Sequence, residues 1–72
     1  MTDREWIYLA SSNLQGCRYD ADTKDLYIEF KNGSQYVYRG VPKEVYEDFI
    51  SASSPGSFFH DEIKNIYSYR RA

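Results

Sequence analysis

Two tyrosines separated by one residue, Tyr36 and Tyr38, are the side chains whose type and spacing most readily suggest a chemical role. Alternate residues of a β-strand lie on the same face of a sheet, so the two rings should lie side by side. Paired aromatic rings can stack on nucleic-acid bases. The apolar helix residues need that same face, however, and we therefore predict that both tyrosines belong to the core, packed against Phe49 and Ile63.

The only histidine, His60, is followed by Asp61 and Glu62, three residue types that serve as acids, bases and metal ligands. Neighbouring residues of a helix project about 100 degrees apart, so these three cannot converge on one atom. A metal site would therefore need further ligands from elsewhere in the chain. The pattern favours a solvated helix end, and we predict neither a metal nor an organic cofactor.

Cys17 is the only cysteine, which excludes an intramolecular disulfide and zinc sites built from several thiolates. Cys17 and His60 would form a nucleophile and a base only if the fold brought them together with a third, orienting group. The position of Cys17 among inward strand residues predicts a small buried hydrophobe instead. The sequence also lacks a glycine-rich phosphate loop, so we predict that the protein is not an enzyme.

The composition is that of one small domain of 72 residues with a formal net charge of -2. This charge argues against broad attraction to a phosphate backbone, so any contact with nucleic acid needs a local basic patch. The N-terminus has no long apolar run, and it resembles neither a signal peptide nor a membrane span. We expect a cytoplasmic protein that does not bind membranes; its oligomeric state stays open.

Three short runs separated by turn residues predict the strands of an antiparallel meander, at residues 13–20, 25–31 and 34–39. The dipeptide Asn32-Gly33 tolerates the backbone of a tight hairpin, so the last two runs should pair antiparallel. Two helices are predicted, at residues 42–52 and 58–66. The predicted fold is α+β, a small three-stranded antiparallel β-meander with two short helices packed on one face.

Apolar side chains recur at helical spacing in both predicted helices, with Val45 and Phe49 in the first and with Phe59, Ile63 and Ile66 in the second. We expect these stripes to cover the inward face of the sheet. Residues 6–9 are compatible with an added strand, a turn of helix or a flap over the core. We therefore divide the chain into an N-terminal extension of uncertain structure, residues 1–10, and a domain over residues 11–72.

An ordered set of short motifs resembles the KTSC domain, a segment found at the C-terminus of some lysyl-tRNA synthetases and also as small bacterial and phage proteins. The motifs are Ser11-Ser12-Asn13-Leu14, Tyr19-Asp20, Leu26-x-Ile28-x-Phe30, Gly33, Tyr36-Val37-Tyr38, Val41-Pro42 and Tyr67-x-Tyr69-Arg70-Arg71. The chain departs from the family pattern at Arg18, where a small residue is common, and at Ser68, where proline is common. The resemblance implies no catalytic residues, and the synthetase connection suggests RNA binding.

A slight basic excess is expected on the outer face of the sheet, because Arg18, Lys31 and Arg39 should project there with Asp20 and Glu29. The aromatic and basic tail enlarges this surface if it folds back onto the sheet. The candidate nucleic-acid-binding residues are Arg18, Tyr27, Lys31, Arg39, Tyr69, Arg70 and Arg71. The first hypothesis is a non-catalytic module that binds RNA weakly through this surface, and the alternative is a protein-protein interaction module that uses an exposed sheet edge or its aromatic segments.

Overall fold

Residues 6–72 are described by a computed structural model, which shows an α+β fold with one antiparallel sheet and two helices. Residues 1–5 of the predicted N-terminal extension lie outside the described part of the chain. The elements, in chain order, are β1 (Ile7–Tyr8), β2 (Leu14–Asp20), β3 (Asp25–Phe30), β4 (Gln35–Arg39), α1 (Lys43–Ser51), α2 (Pro55–Glu62) and β5 (Tyr69–Arg71).

Within residues 6–72 the sheet has five strands, and each strand pairs with the next one along the chain. The three central strands are the predicted meander, but the predicted number of strands is wrong. Residues 6–9 contribute β1, which pairs with β2, and the C-terminal tail contributes β5, which pairs with β4. Both added strands are two or three residues long, too short for an alternating pattern to be recognised in the sequence.

Gly16 is the residue that allows β1 to lie against β2. A Cβ atom at this position would lie 2.8 Å from the carbonyl oxygen of Ile7, closer than backbone and side-chain atoms can pack. The pairing of β2 with β3 also shifts register between Leu14 and Gly16. Gly16 therefore lies both at an irregularity in the pairing of β2 with β3 and at the closest approach of β1.

The first helix matches its predicted bounds to within one residue at each end, whereas the second is displaced toward the N-terminus. Helix α2 begins at Pro55 because proline is well accommodated in the first turn, where its missing N–H costs no hydrogen bond. It ends at Glu62, so Ile66 does not continue the apolar stripe and is 59% exposed. No helix within residues 6–72 is long and apolar enough to cross a membrane.

The core lies between the helices and one face of the sheet. Leu14, Cys17 and Leu26 from the sheet are fully buried in one cluster with Phe49 and Ile63. Tyr19 stacks on Tyr46 of α1, with 4.5 Å between the ring centroids, and its hydroxyl donates a hydrogen bond to the Val41 carbonyl at 2.5 Å. Tyrosine therefore contributes both ring packing and a satisfied hydroxyl to a small core.

Candidate binding surfaces on the two faces of the sheet

Strand pairing places Arg18, Tyr27, Val37 and Arg70 in one row across the face of the sheet that points away from the helices. We call this the outer face. The guanidinium carbon of Arg18 lies 4.1 Å from the centroid of the Tyr27 ring and 6.0 Å from that of Trp6. Arg18 therefore makes a cation–π contact with Tyr27. One side of the Tyr27 ring is already covered and cannot also stack on a base.

Among residues 6–72, the strand residues of the outer face carry no basic excess. Strand pairing adds Asp25 to the predicted Asp20 and Glu29, so three carboxylates accompany its three arginines. The Nε atom of Arg39 lies 3.8 Å from Oδ1 of Asp25. Lys31 lies in the turn after β3, at the opposite end of the strand from the Asp25–Arg39 pair. The basic charge expected on this face was too high, because Asp25 also projects there and β3 ends at Phe30, before Lys31.

The C-terminal tail folds back onto the sheet as β5, and strand pairing divides its residues between the two faces. Arg70 lies opposite Val37 and projects on the outer face. Tyr69 and Arg71 lie opposite Tyr38 and Tyr36, so they project on the face that carries the helices. The seven candidate nucleic-acid-binding residues therefore do not form one surface.

Five aromatic residues form a closed ring of contacts on the helix side of the sheet, around its β4–β5 edge. The ring centroids of Phe30 and Tyr36 are 5.7 Å apart, those of Tyr36 and Tyr69 5.7 Å, and those of Tyr69 and Tyr38 5.3 Å. Phe59 of α2 closes the ring at 5.4 Å from Tyr38 and 5.7 Å from Phe30. All five line a cavity of about 390 Å³, which we name the aromatic pocket.

Polar side chains also line the aromatic pocket, among them Asn13, Asn32, His60 and Lys64. Among the described residues that line the pocket, none is an aspartate or a glutamate. The Oδ1 atom of Asn13 accepts a hydrogen bond from the Ser11 hydroxyl at 3.0 Å, and that of Asn32 accepts one from the Ser34 N–H at 2.9 Å. Each amide oxygen thus already accepts one hydrogen bond, whereas the amide NH₂ groups have no partner within residues 6–72 and can donate to a ligand.

Gly56 allows α2 to begin close to the turn that carries Asn13. A Cβ atom on Gly56 would lie 3.1 Å from the Ser11 hydroxyl oxygen and 3.3 Å from Oδ1 of Asn13. The same hydroxyl accepts the backbone N–H of Leu14 at 3.2 Å and thereby fixes the turn. The Ser-Ser-Asn-Leu motif thus positions one wall of the aromatic pocket against α2.

The KTSC domain family model matches residues 10–67, most of the chain. The chain belongs to the KTSC domain family. A crystal structure of a KTSC domain protein from Yersinia pestis superposes with a TM-score of 0.88 at 35% sequence identity, covering 94% of this chain and 96% of that one.

Relatives of this KTSC domain include both short and long proteins. It is 35% identical over 54 residues to a protein of Tsukamurella paurometabola, covering 75% of this chain and 81% of that one. It is 41% identical over 54 residues to a lysine–tRNA ligase of Trichormus variabilis, covering 75% of this chain but only 10% of the ligase. The KTSC domain thus spans about a tenth of the length of the ligases that it matches.

Tyr36 and Tyr38 have different environments in this KTSC domain. Tyr38 is 3% exposed and lies in the same core cluster as Phe49 and Ile63, as predicted, with its ring contacts made to Phe59 and Tyr69. Burial, followed by the neighbouring Tyr69 and Tyr36, raises the pKa of Tyr38 to about 12. Tyr36 is only partly buried. Both tyrosines were predicted to be buried in the core; Tyr38 is buried there, whereas Tyr36 packs against the core cluster but stays partly exposed and forms part of the pocket wall.

The KTSC domain places its only cysteine and only histidine in contrasting environments. Cys17 is fully buried, and burial raises the pKa of its thiol to about 12, so the thiolate needed for nucleophilic attack does not form near neutral pH. His60 is exposed on α2, with Nδ1 3.3 Å from Oδ1 of Asp61. Across residues 6–72, no group of three or more histidine, cysteine, aspartate or glutamate side chains is arranged to hold a metal ion.

The aromatic pocket was not predicted from the sequence, although Phe59 was expected to face the sheet. The contacts of Tyr69 with Tyr36 and Tyr38 depend on the return of the tail as β5. The Tyr-x-Tyr spacing was the available signal for the site. No sequence signal pointed to Lys64. The second helix was predicted to extend through this residue, whereas α2 ends at Glu62 and Lys64 lies in the turn that follows.

Proposed function

We propose that this KTSC domain is a non-catalytic module that binds single-stranded RNA weakly along β5, the edge strand of its sheet. The observation that carries the proposal is the exposure of all three β5 residues, two of which are arginines. Tyr69 is 56% exposed. Such a strip combines cations for phosphates with an aromatic face for a base, the two parts of single-strand recognition.

The charges around β5 support phosphate binding at this edge rather than across the whole outer face. The partners of β5 in the sheet are Tyr36, Val37 and Tyr38, none of which is an acidic or basic residue of the kind that would pair with a phosphate or an arginine. Arg70 and Arg71 form no ion pair with the rest of residues 6–72. Their guanidinium groups are thus available to phosphate oxygens, whereas Arg39 lies beside Asp25.

The occurrence of similar segments in lysine–tRNA ligases is the reason for proposing RNA as the partner. Each of these enzymes is named for a reaction on tRNA, and a small additional domain with a cationic edge would increase the time that the RNA spends on the protein. We propose only this auxiliary role, and not the ligase reaction, for the present chain. The domain itself would hold RNA without changing it.

Binding should be weak and salt-dependent. The chain has a formal net charge of -2, and β5 offers only two arginines for phosphate contact. Each neutralised phosphate makes the slope of log K against log salt concentration more negative, by about 0.9 for a duplex and about 0.7 for a single strand. We therefore expect a shallow slope of roughly -1 to -2 and binding that is measurable only at low salt.

Fluorescence anisotropy of a labelled single-stranded RNA, titrated with protein at low salt, tests the proposal. The double variant Arg70→Gln, Arg71→Gln should abolish most of the binding. The matched control Lys24→Gln, Lys43→Gln removes the same two charges from exposed sites in the β2–β3 turn and at the start of α1, and it should retain binding. Equal losses in both variants would show that binding depends only on net charge and not on the two arginines of β5. Absence of binding by the native domain would refute RNA as the partner.

A second candidate function, protein interaction, is favoured by apolar side chains exposed away from β5. Tyr8 on the opposite edge strand is 74% exposed, and Ile66 is 59% exposed. Edge strands and exposed apolar residues are common features of protein contacts. Capture of partners from a lysate that persists after nuclease treatment, and is lost on Tyr8→Ser, would favour this alternative.

A further inference from the structure

We propose that the aromatic pocket is a binding site for a single nucleotide that carries a keto base, uracil or guanine, with its phosphate held at the pocket rim. If the nucleotide is a splayed-out base of an RNA strand bound on β5, the inference rests on the proposed function. The binding chemistry of the pocket is independent of that function, because a free nucleotide presents the same base and phosphate.

The size and walls of the pocket suit one planar ring. Its volume of about 390 Å³ lies at the lower end of the range of small-molecule sites, roughly 300 to 1,000 Å³. Phe30, Tyr36 and Tyr69 are partly or largely exposed members of the closed aromatic ring, so they present aromatic surface to the cavity while Tyr38 and Phe59 form its buried side. Aromatic surface in a half-open cavity favours a flat, polarisable ligand.

The polar groups of the pocket determine which bases can form hydrogen bonds there. Each amide oxygen of Asn13 and Asn32 already accepts one hydrogen bond within its own turn, so the groups of these two side chains that have no partner within residues 6–72 are the NH₂ donors. Uracil and guanine carry carbonyl oxygens where cytosine and adenine carry amino groups. A donor-rich lining therefore favours the keto bases, because an amino group facing the same donors would lose its hydrogen bonds.

The charge around the pocket favours an attached phosphate. Lys64 lines the cavity, and Arg71 lies beside it on the same face of the sheet, opposite Tyr36. The absence of carboxylates among the described lining residues leaves this positive charge uncompensated inside the pocket. A nucleotide is the class of ligand that matches all three features: the aromatic walls, the hydrogen-bond donors of the lining and the positive charge.

Protein-observed NMR titration with uridine monophosphate tests the inference, with cytidine monophosphate and ribose 5-phosphate as probes of base edge and phosphate alone. We expect uridine monophosphate to bind, cytidine monophosphate to bind several-fold more weakly, and ribose 5-phosphate to cause little change. Tyr69→Leu keeps an apolar side chain on β5 and should weaken uridine monophosphate binding about tenfold, the order expected for loss of one stacked base. Tyr8→Leu alters the other exposed edge-strand tyrosine and should change nothing.

The outcomes separate the pocket from the proposed RNA binding. If uridine monophosphate binds and single-stranded RNA binds no more tightly, the pocket stands and the RNA proposal fails. If RNA binds but Tyr69→Leu and Lys64→Gln leave its affinity unchanged, and no nucleotide shifts the pocket resonances, the pocket inference is overturned and RNA binding on β5 stands. Equal affinity for the uridine and cytidine nucleotides would overturn the assigned preference for keto bases.

Discussion

Truncation of the two tyrosines of the Tyr-x-Tyr motif should have unequal effects on stability. Tyr38 is 3% exposed and packs against Phe59 and Tyr69, whereas Tyr36 is partly buried at the pocket wall. Replacing a buried aromatic residue by alanine costs about 3 to 5 kcal/mol. For Tyr36 the main loss is its contacts with two rings, each worth about 0.5 to 1.5 kcal/mol, so Tyr36→Ala should cost about 1 to 3 kcal/mol.

These costs are large for so small a domain. A chain of 72 residues is expected to have a free energy of unfolding of roughly 4 to 11 kcal/mol. At the lower end of this range Tyr38→Ala should unfold a substantial fraction of the protein at 25 °C, while Tyr36→Ala should remain folded. Tyr38→Phe retains the ring and should stay folded with a loss below about 1.5 kcal/mol, which provides a measurable reference if the alanine variant does not fold.

Urea unfolding followed by far-ultraviolet circular dichroism measures these differences, provided that the slope of free energy against urea stays the same. Tyr8→Ala serves as the control, because Tyr8 is 74% exposed and its loss should change stability by less than about 0.5 kcal/mol. A cost for Tyr36→Ala equal to or greater than that for Tyr38→Ala would refute the assignment of Tyr38 to the core and Tyr36 to the pocket wall.

Three further predictions concern single residues of the core and the sheet. Because the pKa of Tyr38 is raised from 10.0 to about 12, the unfolded state loses its proton first. The free energy of unfolding should therefore fall by about 1 to 2 kcal/mol as the pH rises from 10 to 12; urea midpoints across this range should show a smaller fall in Tyr38→Phe. Cys17 should resist iodoacetamide at pH 8 in the native protein and react fully in denaturant, since it is buried with a pKa raised to about 12; mass spectrometry showing equal native reactivity would contradict this. Gly16→Ala should force β1 away from β2, because its Cβ would meet the Ile7 carbonyl at 2.8 Å; hydrogen exchange of the Leu9 amide, which donates to the Gln15 carbonyl, should accelerate, and unchanged protection would contradict the close approach.

The central hairpins were predictable because local patterns determine them. Leu26, Ile28 and Phe30 alternate with polar residues, and the glycine of Asn32-Gly33 adopts the left-handed φ of +94° that the turn requires. The edge strands were not predictable, because β1 and β5 are too short to show a period and form only by pairing with β2 and β4. Their stability comes from tertiary contacts, which no window of sequence contains.

The candidate site was predictable only in its residue types. Tyr69, Arg70 and Arg71 were identified from the tail, but their division between two faces follows from a register that only the folded β4–β5 pair defines. The outer face was misjudged because one further carboxylate, Asp25, cancels a small excess of charge. The aromatic pocket needed Phe59 from α2 and Phe30 from β3 to meet, a long-range arrangement without a local signature.

The most direct test of RNA binding at the β4–β5 edge is a ¹H–¹⁵N NMR titration of the native domain with a short uridine-rich single-stranded RNA at low salt. We predict that the largest shifts occur at the backbone amides of β5 and at those of residues lining the aromatic pocket, including Lys64, while β1 and the exposed face of α1 stay unchanged. Shifts confined to β1 or to the Arg18–Tyr27 row, or no shifts at millimolar RNA, would contradict the account.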